Sequence, residues 1–310
     1  MTQSFFSSCL KDPTRILFLI PTLFTAGIVV FMVGFILAVA WPVLSHDIIG
    51  FIFGTVWNYD TQEYGVFYWI VGTIITTLLT LCFACPLSIF TAIYLAEWSP
   101  KRMGKIFRLL IELLVGIPSV VYGIFGIFIL GPLFGLYVIP AISNTFGFLP
   151  IFRNYTSADG TGIFLASVIL TIMVLPTITV LSLEAMRSVP NEYREASLAL
   201  GATKWETSKK VVIPAAKAGI LTAVILGMMR AMGETMAIVM LIGNTAQFPR
   251  SIFDSAGILT AKILGDAGYY VTMDEPRSAL FAVAAILFLM EFSFVAIARG
   301  IFYKSRKKLK

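Results

Sequence analysis

The chain has 310 residues, of which 58% are hydrophobic and 13% are charged. A water-soluble domain of this length cannot bury so much apolar surface in one core, so the composition excludes an ordinary soluble enzyme or binding module. The formal net charge of +6 is distributed among short segments between apolar ones, which is typical of membrane-flanking loops and argues against a nucleic-acid surface. The sequence therefore predicts an all-α integral membrane protein surrounded by lipid.

Two apolar segments, at about residues 16–41 and 68–96, contain no Asp, Glu, Lys or Arg. Segments of this length span the bilayer as helices, because hydrocarbon offers no partner for backbone N–H and C=O groups. The first segment is too long for the core of a signal peptide, so we expect it to be retained. Cys82 and Cys85 lie inside the second segment, and the only histidine is His46. This C-x-x-C is therefore interpreted as packing rather than as a metal or redox site.

The remaining predicted spans differ in how regular they are. The third contains six Gly and Pro residues, which predicts a bent or locally broken helix. Its Glu112 follows Arg108 by four residues, so we expect an i, i+4 salt bridge near its start. These four segments cover about residues 109–134, 163–183, 218–243 and 278–298.

Lys and Arg are concentrated on one side of the predicted membrane. Eighteen of them lie in the two termini and in the second and fourth connections, whereas the other three connections hold four. Because the cytoplasmic side keeps the excess of Lys and Arg, both termini are expected in the cytoplasm. The predicted organisation is a cytoplasmic tail over residues 1–15, a six-helix membrane domain over 16–303 and a basic cytoplasmic tail over 304–310.

The longest cytoplasmic connection, residues 184–216, is polar but carries helix signals. Pro190 is placed to open a short helix that Gly201 ends. Residues 203–206 have the spacing of a capping box, which begins a second short helix, and Pro214 is expected to turn the chain back towards the membrane. The sequence predicts a compact two-helix hairpin between the fourth and fifth spans. An interfacial connector without a partner is the alternative interpretation.

The hairpin sequence resembles the EAA loop of ABC importer permeases, written E-A-A-x3-G-x9-I-x-L-P. Residues 195–197, Gly201 and residues 211–214 match its spacing, with Ser, Val and Ile replacing Ala, Ile and Leu. The resemblance implies a type I ABC importer permease fold, with a coupling helix that docks on a separate ATP-hydrolysing subunit. The coupling residues it implies are Glu195, Ala196, Ser197, Gly201, Ala202 and Pro214.

The sequence gives this chain no ATPase site of its own. It contains no G-x-x-x-x-G-K-[ST] segment, so it lacks the loop that cradles nucleotide phosphates. ATP with its Mg²⁺ is therefore expected on the partner ATPase subunit. This chain is expected to bind no cofactor or metal and to be a non-catalytic subunit.

Residues 116–126, 184–190 and 230–237 resemble the phosphate-specific members of that family, and the similarity extends over about residues 68–303. The form R-A-x-G-E-T-M-A in residues 230–237 favours the PstC type of subunit over the PstA type. The resemblance implies the permease of a phosphate importer in the bacterial plasma membrane.

Several partners follow from the resemblance. They are a second permease subunit of the PstA type, a dimeric ATPase subunit of the PstB type and an extracytoplasmic phosphate-binding protein of the PstS type. Aromatic residues in the outer loops are interpreted as interfacial anchors mixed with a docking surface for that binding protein. These residues are Trp57, Tyr59, Tyr64 and Tyr155.

Charges within the fifth and sixth spans need a reason, because an Arg in mid-bilayer costs about 2.5–3.5 kcal/mol. Glu234, four residues after Arg230, would share its helix face, and Glu291 is expected at a similar depth. Arg presents a planar fork that matches two phosphate oxygens, so Arg230 is expected to meet the anion while Glu234 balances it between cycles. A buried ion pair that only fixes packing is the alternative. The candidate substrate-path residues are Arg230, Glu234, Thr235, Glu291 and Ser119.

Small residues also recur every four positions along the fifth segment. Such a ridge allows two helices to approach closely, so it predicts a helix interface beside Arg230 rather than a lipid-facing surface. The ridge consists of Gly219, Ala223, Gly227 and Ala231.

Two other functions fit parts of the sequence. An ion-driven secondary transporter would use Arg230, Glu234 and Glu291 as an ion relay, but it has no use for a two-helix cytoplasmic hairpin. Within the ABC class, molybdate, sulfate or a phosphonate is an alternative cargo, because one Arg does not select among tetrahedral oxyanions.

Overall fold

A computed structural model describes residues 13–153 and 159–307 of the chain. For residues 13, 15, 101 and 301–307 it describes the backbone alone. Predictions that concern Lys11, Tyr155 and residues 308–310 lie outside this part of the chain.

Six helices of the described chain are long and apolar enough to span a membrane, as the sequence predicts. The helices are α1 (Pro13–His46), α2 (Ile48–Phe53), α3 (Phe67–Trp98), α4 (Lys101–Val115), α5 (Ser119–Phe146), α6 (Ile163–Arg187), α7 (Asn191–Ala199), α8 (Lys204–Gly233), α9 (Met236–Leu241), α10 (Leu259–Tyr270) and α11 (Asp274–Lys307). The spanning helices are α1, α3, α5, α6, α8 and α11. Two short strands, β1 (Trp57–Asn58) and β2 (Glu63–Tyr64), pair in antiparallel orientation between α2 and α3. Pro150–Phe152 form a 3₁₀ turn.

The third span begins later than the sequence predicts. The chain breaks at residues 116–118, so Glu112 belongs to the separate helix α4, and α5 extends to Phe146. The break follows from Pro118, because proline lacks an N–H and disfavours the helical conformation in the residue before it. The expected salt bridge is confirmed, since Arg108 Nε lies 2.6 Å from a Glu112 carboxylate oxygen. A second partner, Glu184 at 2.8 Å, ties α4 to the end of α6.

The central helix of the fold is α6, which is the most enclosed of the six spans, whereas α1 is the most exposed. The small-residue ridge of α8 packs against α6, as predicted. A Cβ added at Gly219 would lie 2.4 Å from the Ala185 Cβ, and one added at Gly227 would lie 2.5 Å from the Ile178 Cγ1. The absence of side chains at these two glycines therefore sets the distance between the two helices.

Hydroxyl groups connect α6 to α3 on its other side. Ser167 donates to the Thr76 carbonyl at 3.3 Å and Thr171 donates to the Thr80 carbonyl at 3.3 Å. Both pairs are separated by 91 residues, so α3 and α6 run parallel in a constant register. The hydroxyls of Ser167 and Thr171 therefore act as hydrogen-bond donors between the two helices, and Thr171 also donates to the Ser167 carbonyl of its own helix at 2.8 Å.

The fifth span differs from its prediction at both ends. Pro214 does not turn the chain, because residues 204–233 form one continuous helix with a π-helical turn at Ser208–Val212. This wider turn directly precedes Pro214 and provides space for its ring against the preceding turn. At the other end the helix stops at Gly233, ten residues earlier than predicted from the apolar run.

The side of the membrane opposite the hairpin carries a cluster around Lys262 of α10. Its ammonium lies 4.3 Å from the Trp57 ring centroid and pairs with Asp266 at 2.7 Å. The Tyr59 hydroxyl donates to the same carboxylate. Burial lowers the pKa of Lys262, and the carboxylate of Asp266 opposes that shift. Trp57 and Tyr59 therefore pack around the Lys262 ammonium. The sequence analysis, which interpreted them as interfacial anchors and a docking surface, did not predict this contact.

Candidate functional site

The candidate substrate site lies where α8 ends. Glu234 follows the last helical residue, Gly233, with φ −69° and ψ 129°, so its backbone is extended. Thr235 then precedes the short helix α9. The prediction that Glu234 shares a helix face with Arg230 is therefore wrong, because the i, i+4 relationship holds only inside a continuous helix.

Arg230, in the last turn of α8, has a neutral partner. Its Nη1 donates to the Thr177 hydroxyl of α6 at 3.1 Å. Within the part of the chain that the structure describes, neither Glu234 nor Glu291 lies within ion-pair distance of Arg230. The local balance of charge predicted from the sequence is therefore not formed in this structure.

The two carboxylates of the site lie beside the helix break instead. A Glu291 oxygen of α11 lies 3.7 Å from the position that a Cβ on Gly233 would take, which places α11 alongside the end of α8. The Glu234 carboxylate accepts a bond from the Ala237 N–H at 3.4 Å, at the start of α9. The Glu234 carbonyl accepts from the Thr260 hydroxyl of α10 at 3.1 Å. Residues from α6, α8, α9, α10 and α11 thus converge at one break in the fifth span.

Ser119 and Thr235 each lie at the start of a helix. Ser119 is the first residue of α5 after the break at Pro118, and Thr235 donates to the Gly233 carbonyl at 3.3 Å. Close packing of α5 on α9 is set by Gly123, since a Cβ there would lie 2.7 Å from the Met240 sulfur. The interrupted helices α5 and α8–α9 are therefore in contact, which is where irregular backbone is tolerated inside a membrane protein.

The hairpin is formed by α7 and the first turns of α8, and both helices begin where the sequence predicts. The first helix, α7, begins after Pro190, and the chain leaves it through Gly201 with φ +85°. Thr203 and Glu206 form the predicted capping box, in which each side chain bonds the other residue's backbone N–H. Ser197 and Thr207 share a hydrogen bond of 3.0 Å between the two hairpin helices. The hairpin is therefore one compact unit, and its tip residue Leu200 is 90% exposed.

Two contacts of this region were missed by the sequence reasoning. The sequence analysis singled out neither Thr177 nor Arg194. The structure gives Arg194 a buried ion pair with Glu97, at 3.1 Å. Nothing in the sequence connects residues 97 apart, so only an available acidic residue at the end of the second span would have indicated this pair.

This architecture defines a class of protein. The class is defined by six spanning helices, an interrupted pair of helices beside a partly buried arginine, and an exposed hairpin between the fourth and fifth spans. These features describe a multi-pass membrane subunit of a transport complex. Residues 85–307 match the family described as binding-protein-dependent transport system inner membrane component, and the chain belongs to this family.

Several proteins that align with most of this chain are named as transport permeases. A protein of Bacillus subtilis described as a probable ABC transporter permease, YqgH, is 39% identical over 82% of this chain and 76% of its own length. The phosphate transport system permease protein PstC of Pasteurella multocida is 35% identical over 87% of this chain and 84% of its own length. The PstC protein of Mesorhizobium japonicum is 36% identical over 84% of this chain and 80% of its own length.

The fold also agrees with solved transporters. A crystal structure of a bacterial alginate ABC transporter in complex with a pentasaccharide-bound periplasmic protein superposes with a TM-score of 0.61, covering 94% of this chain and 95% of that one at 17% identity. A second alginate importer structure gives a TM-score of 0.53 over 91% of this chain and 95% of that one, also at 17% identity. At these identities the likeness establishes the fold, which is the predicted ABC importer permease fold.

Proposed function

We propose that this chain is one of the two permease subunits of an ATP-driven phosphate importer and forms half of its translocation path. The relatives named as phosphate transport permeases support phosphate as the cargo. The family and the fold support import driven by a partner that hydrolyses ATP.

One observation carries the proposal for the substrate path. Arg230 is held at the break in the fifth span by the hydroxyl of Thr177, and its positive charge is not cancelled by a carboxylate within the described chain. An Arg in this position retains donors for an anion, and its planar fork fits two oxygens of a phosphate group. Glu291 and Glu234 lie beside the same break, where they would keep anion binding weak enough for release.

The hairpin supports coupling to a separate ATPase. Its residues Glu195, Ala196 and Ser197 lie in α7, Gly201 and Ala202 connect α7 to α8, and Pro214 lies inside the continuous helix α8. The hydrogen bond between Ser197 and Thr207 fixes α7 to the start of α8. In this proposal the hairpin docks on a dimeric ATPase of the PstB type, which holds ATP and Mg²⁺, and its movement opens the path alternately to each side.

The proposed assembly has further partners and a defined orientation. The hairpin and both termini face the cytoplasm of a bacterial cell, consistent with the excess of Lys and Arg on that side. A second permease subunit of the PstA type completes the path, and an extracytoplasmic phosphate-binding protein of the PstS type delivers the anion to the opposite face.

Uptake of labelled phosphate into proteoliposomes that contain the four components tests this function. Wild-type complexes are expected to accumulate phosphate only with ATP, and Arg230→Gln complexes that assemble normally are expected to lose most of that uptake. Excess molybdate, sulfate and a phosphonate serve as competitors. Full phosphate uptake by Arg230→Gln would show that Arg230 does not contact the transported anion. Stronger competition by another oxyanion than by unlabelled phosphate would identify that oxyanion as the preferred substrate.

A further inference from the structure

A single guanidinium joins three helices at the base of the hairpin. Arg194 of α7 donates from Nε at 3.2 Å and from Nη2 at 3.1 Å to one carboxylate oxygen of Glu97. It also donates from Nη1 to the Val189 carbonyl at 2.6 Å and from Nη2 to the Met186 carbonyl at 2.9 Å. Because Glu97 lies at the end of α3 and Met186 at the end of α6, this side chain holds α3, α6 and α7 together.

This ion pair differs from the others in the same region by its burial. The side chains of Arg194 and Glu97 are 17% and 7% exposed, whereas those of Lys210 and Glu206 are 72% and 42% exposed. Exposed pairs are screened by water and constrain little, while a buried pair cannot separate without leaving a charge unpaired. Among these contacts, only the Arg194–Glu97 pair has the properties of a fixed connection.

A second contact joins the same parts of the chain. Trp98, next to Glu97, packs on Trp205 of the second hairpin helix with ring centroids 6.1 Å apart. Both hairpin helices therefore touch the end of α3. Residues of α3, α6 and α8, together with Val189 between α6 and α7, form one buried apolar cluster beside them. Its members are Ala92, Ile93, Leu95, Leu183, Met186, Val189, Val212, Ala216 and Ile220.

We propose that Glu97 and Arg194 form the joint through which movement of the hairpin reaches α3. This inference rests on the proposed function, in which an ATPase moves the hairpin. The hairpin is covalently continuous with α6 and α8 but not with α3, so α3 can follow it only through non-covalent contacts. The end of α3 is a π-helical turn, Tyr94–Trp98, a geometry that occurs mainly as single turns and frequently at functional sites.

Arg194 and Glu97 are positioning residues in this mechanism, because neither reaches the substrate site at Arg230. Two substitutions separate their contributions. Glu97→Gln keeps the shape of the side chain and leaves both carbonyl bonds of Arg194, but it removes the charge. Arg194→Lys keeps the charge, but a single ammonium lacks the planar fork that reaches the carboxylate and two carbonyls at once.

The test is the amount of phosphate moved per ATP hydrolysed by the complete complex in proteoliposomes. In Glu97→Gln, ATP hydrolysis is expected to continue near the wild-type rate while the phosphate moved per ATP falls about tenfold, as expected for loss of a typical coupling free energy. Arg194→Lys is expected to be intermediate. The matched control is Glu112→Gln, which removes an exposed partner of Arg108 on the same side of the membrane and is expected to leave the ratio unchanged.

If Glu97→Gln leaves the phosphate moved per ATP unchanged, even with a parallel fall in the rates of uptake and hydrolysis, the proposed role of this ion pair is wrong. Failure of the wild-type complex to move phosphate with ATP would instead reject the proposed function. A second measurement remains decisive where a variant complex does not assemble. Spin labels at Tyr94 and Tyr193, both exposed, report the distance between α3 and α7 in the permease pair with the native cysteines removed. Glu97→Gln is expected to broaden this distance distribution and Glu112→Gln is not, and equal distributions in both would overturn the proposal.

Discussion

The guanidinium of Arg230 on α8 donates a hydrogen bond of 3.1 Å to the hydroxyl of Thr177 on α6. This neutral acceptor fixes the direction of the side chain without cancelling its charge. Thr177 follows Pro176 inside α6, where the proline interrupts the helical hydrogen bonds of the preceding turn. An intramembrane cation is thus oriented by the most enclosed helix of the fold.

Thr177→Val is expected to impair transport, because it removes the acceptor that orients Arg230. A hydrogen bond to a charged group contributes about 1.5–3 kcal/mol, so the initial rate of phosphate uptake at low phosphate should fall at least about tenfold. Thr222→Val is the control, since that exposed hydroxyl bonds only the Ala218 carbonyl of its own helix. Equal uptake by the two variants would show that Thr177 does not position Arg230.

Gly219→Ala is expected to destabilise the packing of α8 on α6. The added methyl group would lie 2.4 Å from the Cβ of Ala185, and overpacking of this kind costs about 1–3 kcal/mol. Gly265→Ala in α10 meets nothing within 4 Å and should be neutral or slightly stabilising. Thermal unfolding of the detergent-solubilised chain measures both, and a lower midpoint for Gly265→Ala than for Gly219→Ala would contradict this account of the helix contact.

Gly201→Ala is expected to weaken the hairpin through its backbone alone. Gly201 has φ +85°, and a Cβ there would meet nothing within 4 Å. The left-handed conformation costs an ordinary residue about 1–2 kcal/mol, whereas Asn tolerates it better. ATP-driven uptake should therefore fall in Gly201→Ala and be largely restored in Gly201→Asn. The opposite order would indicate that the missing side chain, and not the backbone angle, matters at this position.

Lys262→Met is expected to destabilise the end of the protein opposite the hairpin. The side chains of Lys262 and Asp266 are 13% and 21% exposed, and removing one partner of a buried pair typically costs about 3–5 kcal/mol. The double substitution Lys262→Met with Asp266→Asn should recover much of that loss, because no charge remains unpaired. Thermal unfolding followed by tryptophan fluorescence compares the variants, and a double variant less stable than Lys262→Met would refute this explanation.

The spans and the hairpin are readable from local sequence. Apolar runs without charges give α1 and α3, and the chemistry of Gly201 and of residues 203–206 gives the two hairpin helices. These features depend on a few adjacent residues, so tertiary contacts did not need to be known. The same locality explains the confirmed pair of Arg108 and Glu112.

Local reasoning failed where one helix had to be distinguished from two. The Gly and Pro residues of the third segment predicted a bent or broken helix, and the break at residues 116–118 confirms this, but they did not give its position. Hydropathy continues past Gly233, so the apolar run gave no sign of the interruption there. Pro214 illustrates the reverse error, because a π-helical turn at residues 208–212 lets the helix continue through it. In each case the outcome depends on which neighbouring helices satisfy the freed backbone groups.

The sequence by itself determined that the chain is a membrane protein, how many times it crosses the membrane and where its two-helix hairpin lies. These features follow from the lengths of the apolar segments and from the capping and turn residues along the chain. Only the tertiary structure decided the partners of its charges. It separated Arg230 from Glu234, brought Thr177 and Glu291 to the helix break and joined Arg194 to Glu97. Side chains far apart in sequence meet only after the helices have packed, and that packing depends on the sites of close approach along α6.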